Sequence, residues 1–225
     1  MGKNEIVIKL TKISKSFFEN GKETNILRDV DLTVRKGEKI AIVGPSGSGK
    51  STVLSIIAGI DTADSGEVIV NSKDLNSLSE KDLSLFRNQD IGIIFQSFEL
   101  ILPFTVSENV AAPQDIKGQK NNALVLSLLK DVNLLEKAQR EVSNLSGGEK
   151  QRAAIARSLA NNPEIILADE PTGSLDRVTG KNVLDLLINL TEKENKVLII
   201  ITHDEEVAKK MDKIYELKDK KLVLK

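Results

Sequence analysis

The chain has 225 residues, 40% hydrophobic and 29% charged, with a formal net charge of -1 and no cysteine. That length and balance bound it to one well-buried domain of the ordinary soluble class, with room for an inserted lobe. The interspersed charges give no argument for a nucleic-acid footprint and the missing cysteines exclude disulfides and thiolate metal sites, while "MGKNEIVIKL" lacks a signal-peptide core and no apolar run reaches membrane-spanning length.

A cytosolic protein is therefore expected, with any membrane link made through a partner. In chain order, "EIVIKL" and "VDLTV" (Val30 to Val34) alternate as antiparallel strands do, bounded by the turns "ENGKE" and "RKGE". The short apolar strand "KIAIVG" runs into a glycine-rich loop and a helix beginning near Lys50, which is the entry to an α/β unit. After "ADSGEVIV" comes another strand, "IGIIFQ", and from there to about residue 145 the pattern is helical and polar. In that stretch "NALVLSLLKDVNLLEKA" carries leucines and valines at helical spacing, and the helix of "NLSGGEKQR" follows. Strands return at "EIILADE" and "KVLIIITHD", separated by the helical "GKNVLDLLINLTEKE". The chain thus leaves a parallel sheet, builds a helical lobe and comes back.

Six stretches are candidates for chemistry. "GPSGSGKST", Gly44 to Thr52, fits the phosphate-binding pattern between a buried strand and a helix: glycines let backbone N–H groups wrap phosphates, Lys50 reaches the β and γ phosphates, and the Ser51 hydroxyl can ligate Mg²⁺. "IILADE" ends a buried strand in two carboxylates, a costly arrangement unless they face a cation or a reacting group. Asp169 suits Mg²⁺ and Glu170 the polarising of an attacking water. Gln96 closes "IGIIFQ" and could reach either, although a glutamine at a strand end is ordinarily a solvated cap. The sole histidine, His203, stands just past the end of "LIIIT", the edge at which open α/β sheets bind ligands. In "NLSGGEKQR", Ser146 and Glu149 read as a capping box, which leaves Gly147 and Gly148 unexplained and points an uncrowded helix end at an anion. Phe17 and Phe18 are a rare aromatic pair, suited to base stacking or to core packing.

Taken in order, "GPSGSGKST", "FQ", "LSGGEKQR", "IILADEPTGSLD" and "ITHD" resemble the ATP-binding subunit of ABC transporters over essentially the whole chain. "LSGGEKQR" with "LADEPTGSLD" is similar to the branch of lipoprotein-release and macrolide-export ATPases. The resemblance implies a P-loop, RecA-like α/β core with an N-terminal antiparallel β subdomain over residues 1–96 and 158–225, and an inserted α-helical subdomain over 97–157. It implies that Gly44, Ser46, Gly47, Ser48, Gly49, Lys50, Ser51 and Thr52 form the Walker A cradle and that Gln96 is the Q-loop residue. Asp169 closes Walker B, Glu170 is the catalytic base, His203 is the switch histidine and Phe17 or Phe18 stacks on adenine. Leu145 to Glu149 are the signature, with Ser146, Gly147, Gly148 and Glu149 facing nucleotide, and Ser174 to Asp176 the D-loop, with Asp176 also facing nucleotide. Ser51, Gln96 and Asp169 then arrange Mg²⁺, and ATP is the substrate.

Two such subunits are expected to dock head to tail, so that the signature of one meets the γ-phosphate of ATP held by the other. An integral membrane permease is the further partner, which keeps the chain on the cytoplasmic face of the membrane. The chain stops soon after His203, from which no appended regulatory domain is expected. A non-transport ATPase of the cell-division type is the alternative. A nucleotide sensor without turnover is expected to lack Glu170 or His203, and both are present.

Overall fold

The computed structural model describes residues 5–19 and 21–225. In chain order the first elements are β1 (Ile6–Glu19), β2 (Lys22–Arg35), β3 (Lys39–Val43), α1 (Lys50–Ile57), β4 (Ser65–Val70), β5 (Lys73–Asp74) and α2 (Glu80–Asp90). Next come β6 (Ile91–Ile94), α3 (Val106–Lys117), α4 (Asn122–Asp131), α5 (Gly147–Ser158) and β7 (Ile165–Asp169). The last are α6 (Arg177–Lys193), β8 (Val197–Ile201), α7 (Glu205–Ala208), β9 (Lys213–Lys218) and β10 (Lys221–Leu224). The chain divides into two compact units, residues up to 87 with 195–225, and residues 88–194.

In the first unit an antiparallel sheet runs in the order β2-β1-β4-β5. Its alternating sequences bury Ile8, Leu10 and Ile13 of β1 against Leu27, Val30 and Leu32 of β2, which is the N-terminal antiparallel layer expected from "EIVIKL" and "VDLTV". The expected "ENGKE" turn includes Asn20, which lies outside the described residues. In the same unit β3 runs parallel to β8 and to β9, and β9 pairs antiparallel with β10. All five residues of β8 are buried, as in parallel strands covered on both faces. The backbone N–H of Arg28 donates to the Lys220 carbonyl at 2.9 Å, tying the two sheets of this unit together.

Two elements here escape the periodicity reading. Helix α2 buries a single residue, Phe86, so its sequence shows no apolar stripe. Its start is fixed by the Ser79 hydroxyl, which accepts from the Asp82 N–H at 3.2 Å. The β9–β10 hairpin turns on Asp219 and Lys220, both with positive φ (49° and 66°), the conformation that two-residue hairpins need and that a lysine does not advertise.

In the second unit β6 runs parallel to β7, with Ile91 opposite Ile165. The helices α3, α4 and α5 are inserted between those two strands, as expected. A Cβ at Gly92 would strike the Ser158 carbonyl, so the glycine is what lets the end of α5 lie directly on β6. The apolar run from Asn122 to Ala138 is not one helix. It breaks after α4, where Asn133 takes a φ of 56°, a conformation asparagine tolerates, and the Leu134 N–H returns to the Leu129 carbonyl at 2.8 Å. The break buries Leu134 beside Leu129, which a continuous helix would carry on a different face. Among the described residues no helix is long and apolar enough to cross a membrane.

Candidate functional site

In the first unit the loop from Gly44 to Gly49 joins β3 to α1. Gly44, Gly47 and Gly49 have φ of 151°, 75° and 103°, and a side chain on Gly49 would collide with Ile26. No side chain caps α1, so its first N–H groups face the loop. Lys50 opens the helix, is 9% exposed, and donates Nζ to the carbonyls of Gly44 (3.0 Å) and Pro45 (2.8 Å). The ammonium is thus curled into the loop, where an anion's oxygens would meet it. The Ser48 hydroxyl is buried with no hydrogen-bond partner. Nothing lies within 4 Å of the place a Gly47 Cβ would take. A turn with open backbone, an uncapped helix start and a buried ammonium fits a polyphosphate. Ser46 and Ser51 are exposed and Thr52 is half-buried.

His203 follows β8 on the same unit. Ile42 pairs with Ile201, and the Thr202 N–H donates to the Ile42 carbonyl at 3.2 Å, so His203, exposed, emerges level with Gly44. Phe17 pairs with Thr24 and Phe18 with Glu23, so the two rings leave opposite faces of β1. The Lys15 ammonium lies 5.1 Å from the Phe17 ring centroid, anchored by Asp61 at 2.8 Å and by the Thr62 carbonyl at 2.7 Å.

In the second unit Ile165 to Ala168 are fully buried and the chain surfaces at Asp169. Glu170 then takes a left-handed φ of 45°, and the Gly173 N–H closes a turn onto its carbonyl at 3.0 Å. Non-glycine residues held in that region are concentrated at working sites. The pairing of Ile94 with Ala168 brings Gln96 to the same sheet edge. The Ser174 hydroxyl donates to the Gln96 carbonyl at 3.3 Å, and a Gly173 Cβ would lie 3.0 Å from Gln96 Nε2. Gln96, Asp169 and Glu170 therefore share one edge of this unit.

Helix α5 starts with the full reciprocal capping box between Ser146 and Glu149. The glycines that capping left unexplained have a packing reason as well: a Cβ on Gly148 would clash with Thr179 at the start of α6, and one on Gly147 would lie 3.3 Å from Leu175. Asp176 caps α6, accepting from the N–H groups of Val178 and Thr179 at 3.0 Å each; the Thr179 side chain first, then these N–H groups, lower its pKa. The Glu149 carboxylate also binds Lys137, and that partner together with the Ser146 N–H lowers its pKa from the ordinary 4.5 to about 2. The stability this arrangement contributes is complete above pH 4.5 and is lost as pH falls towards 2. Glu149→Gln keeps a capping-box side chain but not the ion pair. Its melting temperature should lie below that of the wild type at neutral pH, with the gap closing below pH 4.5; a gap independent of pH would rule the ion pair out as its source.

Three residues the motifs do not mark also shape this unit: Lys137, Arg157 and Asn109. Fully buried Asn109 accepts from the Ile101 N–H at 2.8 Å and donates to the carbonyls of Ile101 and Thr105 at 3.0 Å each. It pins a loop whose Ile101, Leu102 and Phe104 are exposed. No sequence signal marks it, because α3 also carries Ser107, Glu108, Gln114 and Asp115, among which one more polar residue does not stand out.

Comparison with known proteins gives a family model described as ABC transporter, which matches residues 27–173. The chain is 42% identical over 214 residues to the lipoprotein-releasing system ATP-binding protein LolD of Treponema denticola, covering 94% of this chain and 95% of that one. To LolD of Shewanella frigidimarina it is 44% identical over 218 residues, covering 96% and 91%. Among solved structures, a dimeric post-hydrolysis state of the ATP-binding cassette MJ0796 bound to ADP and Pi matches with a TM-score of 0.87 and 39% identity, over 96% of each chain.

Proposed function

The chain belongs to the ABC transporter family as an ATP-binding, ATP-hydrolysing domain of P-loop fold, and from that premise we propose that it powers the release or export of a lipoprotein-type substrate through a separate membrane subunit. The observation that carries this reading is identity of about 40% to lipoprotein-releasing ATPases over nearly the full length of both chains.

In the proposed cycle the Gly44 to Thr52 backbone and Lys50 neutralise the triphosphate, Glu170 takes a proton from the attacking water, and His203 contacts the γ-phosphate. Ser51, Gln96 and Asp169 would hold Mg²⁺, which when bound adds charge neutralisation at the phosphates. No group of three or more His, Cys, Asp or Glu residues among the described ones forms a metal cage. Mg²⁺ is commonly held by one or two carboxylates together with the substrate's own oxygens, and Asp169 surfaces at the end of a buried strand on the edge that Gln96 shares. For adenine stacking we favour Phe17 over Phe18. Two residues along β2 from its partner Thr24 stands Ile26, which closes on Gly49, and the Lys15 ammonium backs its ring. A second copy is proposed to dock head to tail, presenting Ser146, Gly147, Gly148, Glu149 and Asp176 to the first copy's ATP. The dimeric state of the MJ0796 cassette supports a second copy as partner.

The lobe from about Ser97 to Ser143 is proposed as the permease contact, through the loop that exposes Leu102 at 60% together with Ile101 and Phe104. The test is co-expression with the cognate membrane subunit. Wild type should fractionate with membranes and drive ATP-dependent substrate release in proteoliposomes. Leu102→Asp should lose about tenfold in membrane association, the scale of one buried apolar side chain, while binding ATP normally. A Leu102→Asp protein that stays membrane-bound and coupled moves the contact elsewhere.

A further inference from the structure

The segment after Gln96 carries two consecutive non-glycine residues in the left-handed region, Phe98 at φ 65° and Glu99 at φ 49°. The Glu99 N–H donates to the Ser97 carbonyl at 2.7 Å, so Phe98 is the centre of a three-residue turn with positive φ, the rare and strained form. No glycine or asparagine stands at either position to make the shape easy. Within the turn the Ser97 hydroxyl donates to the Glu99 carboxylate at 2.8 Å, and the backbone is held from outside. Arg157, in the last turn of α5, donates Nη2 to the Phe98 carbonyl at 2.9 Å and Nη1 to the Glu99 carbonyl. A planar guanidinium can serve two adjacent carbonyls at once, which an ammonium cannot do with the same geometry. On the near side the turn is fixed too, by the Phe98 N–H on the Phe95 carbonyl at 3.2 Å and by the Ser174 hydroxyl on the Gln96 carbonyl.

We infer that Arg157 is a positioning residue for Gln96: its fork holds the strained turn 97–99, and the turn fixes the height and angle at which Gln96 leaves β6. The inference rests on the reading of Gln96 as a residue that arranges Mg²⁺ and the attacking water. It makes α5 a single lever with two loaded ends, the Ser146 start and the Arg157 fork. A tilt of that helix against β6 changes the pose of the Gln96 amide without any contact between Arg157 and nucleotide.

The experiment is a double-mutant cycle on the full chain. Arg157→Lys should lower kcat for ATP about tenfold, the scale of one charge-assisted hydrogen bond, with KM changed less than twofold because Lys50 and its loop are untouched. Added to Gln96→Ala, it should cost almost nothing more, whereas a merely structural role would cost the same in both backgrounds. Hydrogen–deuterium exchange over residues 95–104 should quicken in Arg157→Lys while exchange in α1 stays as in wild type. Glu99→Pro keeps the Arg157 side chain but removes the Glu99 N–H, the positive φ and the carboxylate that faces Arg157 and Ser97; it should show the same kcat loss and the same lack of additivity, which covers an Arg157→Lys that fails to fold. If Gln96→Ala alone leaves kcat intact, the reading of Gln96 fails. If Gln96→Ala is slow but the Arg157 and Glu99 changes are neutral or additive to it, that reading stands and the inference is overturned.

Discussion

Replacing Lys50 by alanine should weaken MgATP binding by at least about a hundredfold in calorimetry, the equivalent of two charge-assisted hydrogen bonds at about 1.5–3 kcal/mol each. The ammonium that now donates to the Gly44 and Pro45 carbonyls is the cation built into the loop, and no other Lys or Arg lies between Lys39 and Asn71 to replace it. Folding should be unimpaired, because the side chain leaves behind carbonyls at an open loop rather than an apolar void. Unchanged affinity in this variant would remove the phosphate-cradle assignment altogether.

Glu170→Gln should slow hydrolysis by about 10²- to 10⁴-fold, the usual contribution of a general base, and should turn a transient dimer into a persistent one. The change keeps the shape of a residue set at a φ of 45° and removes a negative charge next to the expected γ-phosphate, which favours closure. In size-exclusion chromatography the variant should run as a monomer without nucleotide and as a dimer with ATP. Adding Ser146→Arg should return it to monomer, although its own Lys50 loop still binds ATP. A mixture of Lys50→Ala and Ser146→Arg subunits can assemble one composite site at most, from the intact loop of the second and the intact signature of the first. A Ser146→Arg, Glu170→Gln protein that dimerises with ATP as readily as Glu170→Gln would reduce "LSGG" to a capped helix packed on α6.

What could be read from the residues alone was whatever a local pattern encodes. Long apolar runs such as "VLIII" can hardly be anything but buried strands, and a lysine after glycines between strand and helix has few uses besides phosphate. The features that stayed hidden depend on partners far along the chain. Arg157 works on backbone carbonyls some 58 residues away, and carbonyls carry no sequence signature. Gly148 is small because Thr179 needs the space, a reason that exists only once α6 is in place. Helix α2 has too small a buried face to imprint a period, and Asn133 interrupts a leucine pattern that helical spacing alone would continue.

The Asn109 clamp has a consequence for how quickly a partner can be recruited. An apolar loop that must order itself on contact surrenders conformational entropy at that moment and binds more slowly for it. Here Ile101 and Thr105 are already fastened to one buried amide, so the shape between them is set during folding. Encounters need only the right orientation, and the association rate should be governed by diffusion and alignment rather than by a search among loop conformers.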